Sequence, residues 1–324
     1  MRPTVIKVLQ KTGHFADPKP FAYSPDYVFV HDAACEDYDW LVVYDEFESL
    51  ETLRCPQERT ILCTWEPISI KSYSRAYTRQ FGHLLSNRPS EAERHPHYHL
   101  GRGYFYWFND RTPAECASTV IAPKTKTISA VCSSKRMRHT KHFARFRLID
   151  TLAKGIPGFD WFGHGVRSFG KKYEVMDPYK YHVAIENHIG AHHWTEKLAD
   201  SILSECLTFY AGDPSIAEAL PDGCLIPIPI DDPDEAVRLV REAIAADEYS
   251  KRRPAILEAK RLILEKYNFW AQVISVIEDS EGQTVSVPSE AVLLPRRAIR
   301  RRHPLAALEE AVGHLHRFFG KIQL

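Results

Sequence analysis

The sequence predicts an α/β chain, with parallel sheets crossed by helices and divided between two domains. Three observations carry this. The stretch Tyr179–Phe209 reads as strand, polar loop, amphipathic helix and second strand, the repeating unit of a parallel sheet with crossover helices. Short runs of β-branched and aromatic residues recur along the chain as continuous apolar segments, the mark of strands buried on both faces. At 324 residues, the chain is long enough for two separate cores.

Within 1–120, Thr4–Leu9, Tyr27–Val30, Trp40–Tyr44 and Thr60–Thr64 are the candidate strands. The last runs into Trp65-Glu66-Pro67, where the proline stops the strand, so Glu66 projects near its carboxyl end. That is the place for a catalytic carboxylate, although a solvated loop residue would look the same. Further on, HPHYHLGRGYFYWF carries His95, His97 and His99 at alternating positions, with Glu91 and Glu93 close by. The spacing suits three imidazoles on one strand face, as in a metal site, or a polar rim beside stacking aromatics. Tyr104, Tyr106 and Trp107 would then be sugar-stacking or core residues.

Proline and charge interrupt the pattern over Thr112–Lys126, which sets the expected domain boundaries at 1–120 and 121–267. The second domain should open with the strand Thr127–Val131, a basic loop, and a helix from His142 to Ala153. Phe159–Phe162 is the next strand, followed by Gly163-His164-Gly165, whose spacing fits neither the dinucleotide nor the P-loop fingerprint. In Tyr179–Phe209, Thr195 is a good N-cap, and Leu198, Ala199, Ile202, Leu203 and Cys206 share a helical face. Lys197 breaks a local rule, because a cation in the first turn opposes the helix dipole. A bound anion at the helix start, a phosphate above all, would offset that penalty; a solvated lysine is the plain alternative. Asp234–Ala245 and Pro254–Val276 read as helices, with Asp231-Asp232 as capping before the first.

The composition is that of a soluble globular protein, 44% hydrophobic and 26% charged. Forty-two basic residues balance forty-two acidic ones, which argues against a nucleic-acid-coating role. Seven scattered cysteines with no C-x-x-C pair suggest reduced thiols and a cytoplasmic setting. The apolar stretch of MRPTVIKVLQK is too short for a signal peptide or a membrane span.

The segment Ala184-Ile185-Glu186-Asn187, then His193, then Thr195-Glu196-Lys197-Leu198, resembles the donor-binding region of the family 10 glycosyltransferases, the α1,3/α1,4-fucosyltransferases. Ala211-Gly212-Asp213-Pro214 and Leu220-Pro221-Asp222-Gly223 extend the similarity to some forty residues. Ile185 stands where the family has Phe, and His193 where it has Tyr, which leaves the donor sugar open. The resemblance implies the GT-B architecture, two Rossmann-like domains facing across a cleft, with residues 268–281 as a crossover helix. It implies transfer of L-fucose from GDP-fucose to a glycan hydroxyl, in lipopolysaccharide or another surface glycan, with inversion. No metal or other cofactor is expected, because Arg, Lys and helix N-termini would neutralise the leaving diphosphate. It places Glu66 as the base, Arg145 on the diphosphate (Arg138 and Arg147 competing), and Glu186, Asn187, His193, Thr195, Glu196 and Lys197 around the donor. The alternatives are another nucleotide sugar on the same fold, or a noncatalytic carbohydrate- or membrane-binding module.

The tail, 282–324, departs in character. Five arginines fall between Arg296 and Arg302, and Leu305, Leu308, Val312, Leu315, Phe318 and Phe319 follow at helical spacing. A basic run joined to an amphipathic helix suits an anionic membrane surface through 295–319, which would make the protein peripheral at the inner membrane. A helix docked on its own domain or on a partner subunit fits the pattern equally well.

Overall fold

The computed structural model describes residues 2–11, 21–68, 70–103, 109–134, 142–282 and 290–319. It divides into two compact units, Met1–Gly101 with Trp270–Leu324, and Arg102–Phe269. Both are α/β, each built on its own sheet.

In the first unit β1 (Thr4–Gln10), β2 (Phe21–Ser24), β3 (Tyr27–Val30), β4 (Trp40–Tyr44), β6 (Thr60–Thr64), β7 (His83–Ser86) and β8 (Tyr98–Leu100) form one sheet. The two-residue β5 (Glu51–Thr52) lies outside it. Their order is β2-β3-β1-β4-β6-β7-β8, and every pairing is parallel except β2 with β3. All five residues of β4 and of β6 are buried, as their unbroken apolar sequences require. The strand order reverses between β1 and β4. Ligands of open parallel sheets gather at such a switch point, beyond the carboxyl ends of the strands. A four-residue helix, α1 (Arg75–Thr78), follows the β6 loop.

The second unit holds β9 (Lys126–Val131), β10 (Phe159–Phe162), β11 (Tyr179–Ile185), β12 (Leu207–Ala211) and β13 (Leu225–Pro227). They are ordered β10-β9-β11-β12-β13 and wholly parallel, with the switch point between β9 and β11. The helices are α2 (Pro113–Ser118), α3 (His142–Gly155), α4 (Glu196–Leu203), α5 (Pro233–Ala245) and α6 (Glu248–Glu265). Leu148, Ile149 and Leu152 of α3 and Ala236 and Val240 of α5 meet Val183, Leu207 and Phe209 in one core. Asp232 caps α5 as expected, accepting from the Glu235 amide at 3.1 Å.

The divide falls at Gly101/Arg102, earlier than the expected boundary at residue 120. The reason is that residues 109–124 are tied into the second unit. Arg111 pairs with Asp177. The Asn109 amide donates to Asp200, and Lys124 donates to the carbonyls of Asp177 and Ser204. The helix expected over Pro254–Val276 is two helices, α6 and α7 (Phe269–Asp279). Asn268, fully buried between them, donates from its side-chain amide to the carbonyls of Ile263 and Leu264 and so ends α6.

From Trp270 the chain belongs to the first unit. There β14 (Val292–Leu293) pairs antiparallel with β5. The Gln80 side chain brackets the Leu294 backbone, donating to its carbonyl at 3.1 Å and accepting from its amide at 2.8 Å. Helices α8 (Arg296–Arg302) and α9 (Pro304–Phe319) follow. Leu293, Ile299 and Ala306 join the core of Leu41, Leu62, Tyr77 and Leu84, so 291–310 is an integral layer of this unit, not an appended tail. All seven cysteines are free thiols, and only Cys35 is not buried. Among the described residues, no helix is long and apolar enough to cross a membrane.

Candidate active site

At the switch point of the second unit, β11 ends on Ile185, and the Glu186 amide continues its ladder to the Ala211 carbonyl. The Glu186 side chain is fully buried and turns back under the start of α4. Its carboxylate accepts from the Thr195 amide at 2.8 Å and from the Thr195 hydroxyl at 2.7–3.0 Å. Thr195, extended at φ −126°, caps α4 by accepting from the Lys197 amide. The Lys197 ammonium lies 3.0 Å from Thr195 Oγ1, 2.9 Å from Glu196 and 3.6 Å from Glu186.

The placement explains the cation in the first turn. Burial depresses the Lys197 ammonium, but Glu186 and Glu196 more than reverse this and hold its pKa above the ordinary value. Burial likewise pushes Glu196 up, and Lys197 and Lys172 outweigh it, leaving that carboxyl below its usual range. Glu186 is different: burial dominates and its pKa is raised despite Lys197.

Arg145 projects from α3 and is buried. It donates to Asn187 Oδ1, and its second terminal nitrogen lies 3.6 Å from Cys132 Sγ, just past the end of β9. Arg145, Asn187, Thr195, Glu196 and Lys197 are thus gathered at one switch point, with the amino end of α4 among them. One guanidinium and one ammonium group beside a helix start are suited to a diphosphate. Of the competitors, Arg147 donates to the Asp231 carbonyl elsewhere, and Arg138 lies outside the described residues. Glu186, expected around the donor, has both of its oxygens within hydrogen-bond reach of Thr195 and so supports the helix start. His193 is buried, its ring edge-on to His188 at 5.4 Å between centroids.

Other residues of this site gave weaker signals in the sequence. Gly212 has no room for a side chain, since a Cβ there would lie 2.1 Å from the Tyr210 hydroxyl and 2.7 Å from Glu186 Cγ. Gly163, at φ +138°, lets its backbone approach Cys132, whose carbonyl oxygen a Cβ would meet at 2.4 Å. Lys172 forms a 2.6 Å ion pair with Asp200, a wholly buried carboxylate on α4 whose pKa burial pushes up to about 6 against the pull of Lys172. The sequence gives no sign of this pairing, because Asp200 lies on the buried face of α4.

In the first unit, Glu66 lies half-buried past the end of β6. Its carbonyl accepts from the Arg88 guanidinium, which also donates to the Lys71 carbonyl at 2.8 Å and to Glu91 at 3.1 Å. A turn begins at Pro67, whose carbonyl accepts from the amides of Ile70 and Lys71. Asp45 and Glu46, just past β4, share the Lys71 ammonium. Asp45 adopts φ +67°, and burial raises its carboxyl above the ordinary range although Lys71 opposes it.

The histidine-rich stretch does not assemble as its spacing suggests. His95 spends both ring nitrogens locally, on the Phe81 carbonyl and the His97 amide. His99 instead meets His83 across β7 and β8, with ring nitrogens 3.1 Å apart. Among the described residues no group of three or more His, Cys, Asp or Glu side chains could hold a metal. His83, His95 and His97 line a cavity of about 560 Å³ at the amino ends of β7 and β8, the wrong edge of the sheet for an acceptor groove. Tyr104, Tyr106 and Trp107 lie outside the described residues.

The fold is the GT-B class of glycosyltransferase folds, two Rossmann-like α/β units. A crystal structure of an alpha1,3-fucosyltransferase with GDP-fucose is similar, with a TM-score of 0.52 and 13% identity over 88% of this chain and 92% of that one. The same enzyme type with GDP gives 0.52 and 14% over 87% and 92%. No family model matches the sequence. No curated protein matches it either.

Proposed function

We propose that the protein is an inverting glycosyltransferase that moves L-fucose from GDP-fucose to a glycan hydroxyl. The observation that carries this is the convergence of Arg145, Asn187 and the Thr195-Glu196-Lys197 helix start on one switch point. Leaving-group departure builds negative charge on a diphosphate, and Arg145, Lys197 and the α4 amides would receive it. Asn187 and Glu196 would hydrogen-bond ribose or sugar hydroxyls. Glu66 would take the acceptor proton as the hydroxyl attacks the anomeric carbon, with the sugar–phosphate bond breaking on the opposite face. The choice of GDP-fucose rests on the resemblance of the 184–198 segment and on the ligands named for the similar structures. No metal is needed in this scheme, since protein cations meet the diphosphate charge.

His193 favours a second reading, the same chemistry on another nucleotide sugar, because an imidazole replaces the phenol of the resembled family. The outward apolar stripe of α9, Leu305, Leu308 and Val312, with exposed Arg297, Arg301 and Arg302 before it, supports a further role at an anionic membrane surface on the cytoplasmic side. Thermal denaturation with GDP, UDP and CMP tests the donor. A ligand at a hundred times its Kd stabilises by about 2.7 kcal/mol. Stabilisation by GDP supports the fucosyl reading, by UDP or CMP alone the second, and by none a noncatalytic module.

A further inference from the structure

We propose that Arg296, in the C-terminal segment, is a positioning residue for the loop that carries Glu66; this rests on the reading of Glu66 as the base. Arg296 is 6% exposed and reaches three elements of its unit at once. It donates to Glu46 at 2.5 Å, to the Ser72 carbonyl at 2.7 Å and to Glu310 at 3.0 Å from Nε. Its guanidinium lies 5.5 Å from the centre of the Tyr73 ring, whose centre is 5.1 Å from the Arg88 guanidinium.

The loop after β6 is therefore held by its carbonyls from two sides. Arg88 takes those of Glu66 and Lys71, and Arg296 takes that of Ser72. Helix α9 completes the clamp. The Ser72 hydroxyl donates to the Glu310 carbonyl at 3.0 Å, and the amides of Ser74 and Arg75 donate to Glu310 and Glu309. Ser74 is the N-cap of α1 but does not cap it with its own side chain. The carboxylates that satisfy these amides come from α9, more than two hundred residues away. Burying such an ion network is a poor route to stability, since apolar groups of the same volume do as well or better. Its distinctive product is geometry: three fixed carbonyls and two capped amides within ten residues of Glu66.

The test uses the full chain with Arg296→Met and Arg296→Lys. Hydrogen exchange at the amides of Ile70, Lys71, Ser74 and Arg75 should quicken at least tenfold in Arg296→Met, with β4, β6 and the second unit still protected. In transfer assays kcat should fall at least tenfold with the donor KM within twofold, and Arg296→Lys should lie between. Unchanged exchange at these amides, or a quickening spread evenly over the whole unit, overturns the proposal. If Arg296→Met does not fold, Arg296→Lys decides by the same two criteria. A wild-type chain that transfers no sugar refutes the transferase reading, while the exchange measurement still decides whether Arg296 holds the loop.

Discussion

Glu186 and Thr195 are joined by the Thr195 amide and hydroxyl, both donating to one fully buried carboxylate. Lys197 donates to the same hydroxyl at 3.0 Å and lies 3.6 Å from the carboxylate. One residue supports the helix start, and its neighbour in the pair presents charge there. Their substitutions should therefore separate. Glu186→Ala strands two buried donors of Thr195 and should cost about 2–5 kcal/mol of stability in the second unit, read by chemical denaturation. Lys197→Ala should leave the fold stable, because Glu186, already raised in pKa, can take up a proton. Its effect should appear in GDP affinity, at least about tenfold weaker for the loss of a charge-assisted contact of about 1.5–3 kcal/mol. Calorimetry showing unchanged GDP affinity in Lys197→Ala removes that residue from the donor site.

Glu66→Gln keeps the volume and removes the basicity. If Glu66 accepts the acceptor proton, the transfer rate should drop about a hundredfold or more with donor affinity almost unchanged. A fully active variant would pass the role to another carboxylate. Asp45 is then the first to test, since its pKa is raised and it lies past the end of the adjoining strand β4.

The parts of this molecule that were legible share a cause. The strands β4, β6 and β12, and the end of β11 from Val183, show as apolar runs because both of their faces are buried. Thr195 and Lys197 were legible because one follows and the other breaks the rules of helix ends. The support that Glu186 gives to Thr195 was not legible, because a carboxylate beside a candidate phosphate site looks only like a ligand contact. Only the three-dimensional path of β11 shows that it turns under α4. The break at Asn268 was hidden in the same way, since Asn is tolerated within helices and its capping bonds depend on burial. In α9 the sequence marks an apolar stripe but not its partner: Ala306 and Glu310 face the core while Leu305 is 79% exposed. A buried glutamate is invisible to hydrophobic periodicity, and it is Arg296 that makes it tenable.

Acid should weaken the second unit through His182. The imidazole sits in β11 with Nδ1 2.8 Å from Ser129 Oγ. Burial, with Lys172 and Lys124 adding to it, holds its pKa down at about 3. In the unfolded chain the group returns to about 6.5. The folded value is the lower one, so its contribution is complete above pH 6.5 and is lost as pH falls from there towards 3. At pH 5 this one group removes about 2 kcal/mol. Asp200, raised to about 6, acts with the opposite sign, regaining stability as pH falls below that value, so the absolute slope is a sum. The comparison that isolates His182 is denaturation of wild type and His182→Asn at pH 7.5 and 5. The pH-dependent difference should shrink by about 2 kcal/mol in the variant; an unchanged difference assigns the acid sensitivity elsewhere.

The outward face of α9 sets the last expectation. Leu305, Leu308 and Val312 are 79%, 60% and 43% exposed, while Leu293, Ile299 and Ala306 are built into the core. Deleting everything after Gly282 would remove part of that core, so truncation would report on folding and not on surface binding. Point changes on the stripe avoid this. Of the five arginines, Arg296 is buried and Arg300 pairs with Glu310 at 2.6 Å. Arg297, Arg301 and Arg302 remain as exposed charges, each contributing about 1 kcal/mol near an anionic leaflet. That is too little to anchor the protein alone, so the apolar stripe must supply the rest. Leu305→Ser with Leu308→Ser and Val312→Ser should abolish sedimentation with phosphatidylserine vesicles at low salt, with the thermal shift by GDP unaltered. The wild type should bind and then release steeply as salt rises. Wild-type protein that ignores such vesicles, or a triple variant that binds them as well, would show that this stripe serves no membrane.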